Sequence, residues 1–79
     1  MRKKMTLNEL HILKLLQEQG KASYKEIEPM MTIEGHDKYW TTFSTICSLI
    51  QSGVMVSDNK HPSTYSLTPY GRVKAKELL

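Results

Sequence analysis

Six Thr and Ser hydroxyls crowd the stretch YWTTFSTICSLIQSG, residues 39–53, among them Thr41, Thr42, Thr45 and Ser48. Apolar residues recur between them at helical spacing. That spacing places Lys38, Thr41, Ser44, Thr45, Ser48 and Gln51 on one helix face, with Thr42 near its edge. A hydroxyl both donates and accepts a hydrogen bond, and a threonine methyl can touch a thymine methyl. Such a face suits base edges and phosphates. Being short of charge, it equally suits solvent or another protein. It has no Arg or Asn, and Gln51 only at its far end, so bidentate contacts to guanine or adenine are poorly provided for.

Other chemistries find little support. His11, His36, His61 and Cys47 share no metal-ligand spacing. No Ser/His/Asp grouping, glycine-rich phosphate loop or paired catalytic carboxylates stand out. The expectation is a protein that is not an enzyme and uses no cofactor. A single cysteine closes no internal disulfide, which points to a reducing, cytoplasmic location. No run approaches a transmembrane helix in length, and MRKKMTLNEL lacks the apolar core of a signal peptide, so no membrane partner is expected. The 79 residues suffice for one small domain with a thin stability margin. The formal net charge of +3 inclines the chain towards an anionic partner. The charge is uneven: MRKK and GRVKAK are basic ends, while Glu26, Glu28, Glu34 and Asp37 make the middle acidic.

The elements that must position these residues follow from capping and periodicity. Thr6 and Glu9 form a capping box that opens a first helix carrying Leu7, Leu10, Ile12, Leu13, Leu15 and Leu16. These cover more than half the helix circumference and leave His11, Lys14 and Glu18 as a polar stripe. The helix should therefore be covered on two sides, the second by the C-terminal helix or another subunit. Gly20 is its natural stop. Ser23 and Glu26 repeat the signature for a short second helix, which Pro29 ends or kinks. In the third helix Tyr39, Phe43, Ile46, Cys47 and Ile50 share the inward face, with Trp40 capping the core edge, Leu49 at the border and Gly53 closing it. The period then becomes two. VMVS and TYSL form a hairpin around a loop of about six residues, DNKHPS, with Val54, Val56, Tyr65 and Leu67 inward. Thr68 and Pro69 start a final helix.

Three helices, a hairpin and a helix form the order of a winged helix-turn-helix. ICSLIQSGVM resembles that family's junction from third helix to hairpin. YSLTPYGRVKAKEL, residues 65–78, resembles the Tyr-x-Leu-Thr-x-x-Gly-Arg segment of MarR-like and PadR-like regulators. The resemblance implies a mainly α fold with a small β-hairpin (α+β), ordered α1-(β1)-α2-α3-β2-wing-β3-α4, with the short first strand at Lys21 to Ser23. It covers residues 6–79 as one domain, preceded by a basic arm at residues 1–5.

The function implied is a transcriptional regulator that binds double-stranded DNA, with the third helix in the major groove, the wing on the backbone, and helix N-termini and basic side chains on phosphates. Candidate DNA contacts are Lys38, Thr41, Thr42, Thr45 and Ser48 on the third helix and Lys25 on the second. Lys60 and His61 on the wing, Arg2, Lys3 and Lys4 in the arm, and Arg72 at the family's Arg position complete the set. Dimers of the family read two half-sites, so a homodimer is expected, through Leu7, Leu15, Val73, Leu78 and Leu79. The competing expectation is a module that binds another protein through the exposed face of the third helix.

Overall fold

The first helix, α1 (Leu7–Gln19), is the centre about which the rest is arranged. Its capping box forms: the Glu9 N–H donates to the Thr6 hydroxyl at 3.2 Å, and the Thr6 N–H donates to the Glu9 carboxylate at 2.9 Å. The chain leaves it at Gly20, whose N–H donates to the Leu16 carbonyl at 2.8 Å. These coordinates are a computed structural model that describes residues 5–33, 37–60 and 62–79.

A short strand, β1 (Lys21–Ser23), leads directly into α2 (Tyr24–Ile27), and a single 3-10 turn (Glu28–Met30) follows. Pro29 lies in that turn and ends the helix early, as its fixed φ and missing N–H require. Helix α3 (Lys38–Gln51) comes next, then β2 (Met55–Ser57), β3 (Thr64–Leu67) and α4 (Pro69–Leu78). The strands form an antiparallel sheet in the order β1-β3-β2, with β3 in the middle: Ala22 faces Tyr65 and Met55 faces Leu67. The expected α+β order is observed, including the first strand.

The core is built from Ile12, Leu13, Leu15 and Leu16 of α1, joined by Ala22, Ile27, Met31, Ile46, Leu49, Val54, Met55, Leu67 and Ala75. Helix α1 touches α3, α4, β1 and β3, so most of its wide apolar surface, Leu7 apart, is covered within one chain. Leu15 is accordingly 8% exposed and is a core residue, which corrects its assignment to a dimer contact. Val56 is corrected as well. Val54 and Met55 are consecutive buried residues because Val54 still belongs to the turn out of α3, and this puts Val56 on the outside.

The β3-to-α4 junction is closely fitted. Thr68 caps α4 by accepting from the Gly71 N–H at 3.0 Å, and its own hydroxyl donates to the Gly53 carbonyl oxygen. Its N–H donates to the Val54 carbonyl at 3.0 Å. Gly53 takes φ +81, a conformation that side chains with a Cβ disfavour, and so turns the chain from α3 into β2. A Cβ at Gly71 would run into the Val54 carbonyl oxygen, so only glycine lets α4 approach this closely. These contacts account for the Leu-Thr-x-x-Gly spacing.

Candidate nucleic-acid interface

Helix α3 begins at Asp37, whose carboxylate accepts from the Trp40 N–H at 2.7 Å. Its buried residues are Thr42, Ile46 and Leu49, which fall at positions i, i+4 and i+7. The sequence had suggested Tyr39, Phe43, Cys47 and Ile50 around Ile46. At 100° per residue the observed stripe is turned by roughly 80° from that one. Thr42 is 0% exposed and thereby withdrawn from the candidate contacts. Trp40 is 56% exposed, Phe43 44% and Tyr39 61%; Ile50 also faces outward and Cys47 is half-buried. Trp40 does not cap the core edge.

The hydroxyls explain how a threonine can take the inner position. Thr41 donates to the Asp37 carbonyl at 3.1 Å, Thr42 to the Lys38 carbonyl at 2.8 Å, and Thr45 to the Thr41 carbonyl at 2.8 Å. Each closes a bond one turn back along its own helix, so a threonine is buried there without an unsatisfied donor. Ser48 donates across to the buried Glu9 carboxylate of α1 at 3.3 Å. Thr41, Thr45 and Ser48 are half-buried. All four hydroxyl hydrogens are thus engaged within the chain.

What α3 turns outward is a stripe of Trp40, Ser44 and Gln51, with Phe43 beside it and the half-buried Cys47 at its edge. Tyr39 and Phe43 stack with their rings 5.9 Å apart and 7° from parallel, and Tyr24 of α2 lies 5.9 Å from Tyr39. Burial pushes the Tyr24 hydroxyl pKa up to about 12, and Glu28 adds to this by accepting a hydrogen bond from that hydroxyl at 2.9 Å and by its charge. The aromatic group is thereby anchored to the α2 side of the fold.

Lys38 on α3, Lys25 on α2 and Lys60 on the wing are all exposed. The wing loop between β2 and β3 is organised by Asp58. Its carboxylate accepts from the Thr64 hydroxyl at 2.6 Å, the Thr64 N–H at 3.1 Å and the Lys60 N–H at 3.0 Å. Those bonds hold its pKa down at about 2. Arg72 is exposed but lines a groove with Leu16, Gln17, Gly20, Leu67 and Lys76, on the α1–α4 side. Arg2, Lys3, Lys4 and His61 lie outside the described residues. Helix N-termini were expected to hold phosphates. Asp37 instead occupies that of α3, and Glu9 and Thr6 that of α1, so a second anion there would be repelled. Among the described residues no group of three His, Cys, Asp or Glu side chains could hold a metal ion, and no helix is long and apolar enough to cross a membrane.

No family profile and no curated protein matches the chain. Solved structures do. BpsR of Bordetella bronchiseptica, whose DNA binding is regulated by 6-hydroxynicotinic acid, superposes with a TM-score of 0.79 at 24% identity over 96% of this chain and 53% of its own. The adhesin competence repressor AdcR of Streptococcus pyogenes gives 0.75 at 20% identity over 94% and 55%. F93 from STIV, a winged-helix DNA-binding protein, gives 0.75 at 23% identity over 96% and 87%. The fold is a winged helix-turn-helix. This winged helix spans about half the length of BpsR and AdcR and most of the length of F93. In it, α3 is the third helix and the β2–β3 hairpin is the wing.

Proposed function

We propose that this winged helix binds double-stranded DNA as a transcriptional regulator. The outer face of α3 enters the major groove, and the wing and the exposed lysines hold the backbone. The observation that carries the reading is α3 itself: at the recognition position, Trp40, Phe43, Ser44 and Gln51 lie exposed along three turns of the helix. The net charge of +3 and the DNA-binding function of BpsR and F93 support it. Lys38, Lys25 and Lys60 are the phosphate contacts in this account, and Thr41 and Thr45 contribute acceptor lone pairs at the rim. Arg2, Lys3, Lys4 and His61 keep their proposed backbone roles, whereas Arg72 serves the α1–α4 side.

The regulator acts as a homodimer in this reading. Leu7, Val73, Leu78 and Leu79 are all exposed apolar side chains. Leu78 also lines an open groove of about 520 Å³ with Met5, Leu10, Val54 and Tyr70 between α1, α3 and α4. A sedimentation measurement that finds only monomer at high micromolar concentration would remove this part.

Binding to a random duplex pool across a salt series tests the whole. Affinity should fall steeply as salt rises, because lysine–phosphate contacts release counterions. Substituting Lys38 and Lys60 should weaken binding to all sequences alike. A second reading, a module that binds a protein, draws on the three exposed aromatic rings of α3. No retention of DNA at low salt would favour it.

A further inference from the structure

The outer face of α3 has the wrong chemistry for reading most base edges and a suitable one for a single feature of the major groove. Guanine, adenine and cytosine present donors and acceptors there, whereas thymine adds a methyl group. The helix sequence KYWTTFSTICSLIQ contains no Arg or Asn, and its Gln51 is the last residue. The hydroxyl hydrogens of Thr41, Thr42, Thr45 and Ser48 are engaged internally. The outward groups are mainly the rings of Tyr39, Trp40 and Phe43, with the Ser44 hydroxyl among them.

Against a G·C pair the Phe43 ring would strip water from amino and carbonyl groups and offer no replacement bond, and Trp40 would offer only its single indole N–H, which is unfavourable on balance. Against thymine methyls they would bury apolar surface on both sides. The stacking of Phe43 on Tyr39 already limits the motion of one ring, so little freedom is lost on contact.

We propose that α3 recognises the 5-methyl groups of pyrimidines, which in ordinary duplex DNA means thymine-bearing, A·T-rich major grooves. The inference rests on the DNA-binding reading above and specifies what that site reads.

Replacing thymine by deoxyuridine removes the methyl and leaves base pairing intact. The full chain is titrated by fluorescence anisotropy against an A·T-rich duplex and its deoxyuridine counterpart, at fixed low salt. The deoxyuridine duplex should bind more weakly, by about fourfold for each methyl contacted. In Phe43→Ala and Trp40→Ala, both at exposed positions, the gap between the two duplexes should close. In Lys60→Ala both duplexes should weaken by the same factor. A G·C-rich duplex carrying 5-methylcytosine should bind more tightly than its unmethylated form. Equal affinity for thymine and deoxyuridine duplexes would overturn methyl recognition and leave DNA binding standing. Failure to bind any duplex would overturn both.

Discussion

The β3-to-α4 junction and the outer face of α3 differ in where their partners lie. At the junction, Leu67 is buried, Thr68 is bonded to the carbonyls of Gly53 and Val54, and Gly71 leaves no room for a Cβ. Each residue type is required by a neighbour in the same chain. On α3, Trp40, Phe43 and Ser44 face outward from the fold. The junction keeps the fold together, and the outer face of α3 is free to serve a partner.

Substitutions at the two regions should therefore separate stability from binding. Gly71→Ala should have the largest effect. Its methyl meets backbone, which cannot swing aside, so α4 must lift, at about 3 kcal/mol. That is a large share of the margin of a small domain, and urea unfolding would measure it. Unchanged stability would mean that α4 tolerates displacement from Val54. Thr68→Ala removes the cap and should cost about 1–2 kcal/mol in the same assay. Phe43→Ser should cost about 1 kcal/mol, chiefly its stack on Tyr39; a loss several times larger would return Phe43 to the core.

The smallest effect concerns the wing. The pKa of Asp58 is depressed in the fold, so its contribution is fully present above its ordinary value of 3.8 and is lost as pH falls through about 2. Protection of the Lys60 and Thr64 amides against exchange, relative to the intrinsic rate at each pH, should fall over that window, and in Asp58→Asn this acid dependence of protection should vanish. Persistence of the acid dependence in that variant would assign it to another group.

Legibility in the sequence followed the same division. The capping box of Thr6 and Glu9, the stop at Gly20, the early end of α2 at Pro29 and the Thr68 cap depend on local backbone chemistry, and all stand where local rules put them. The rotation of α3 depended on which residues its neighbours accept. Large apolar residues were expected inside and threonines outside, yet Thr42 goes in because its hydroxyl is satisfied one turn back. The stripe of Thr42, Ile46 and Leu49 was present at i, i+4 and i+7, and the hydroxyls at 41, 42 and 45 were each within one turn of a carbonyl acceptor. Reading them as internal bonds would have set the rotation. Leu15 was misplaced for a related reason: the circumference of α1 suggested a second subunit, whereas α4 and the sheet cover it.

Trp40, the only tryptophan, sits on the outer face of α3, the surface proposed to meet DNA. Its emission should be read during a duplex titration, with binding followed in parallel by anisotropy of the labelled duplex. The emission should change in step with binding and recover as salt is raised. A duplex that binds while the emission of Trp40 stays constant would contradict the account.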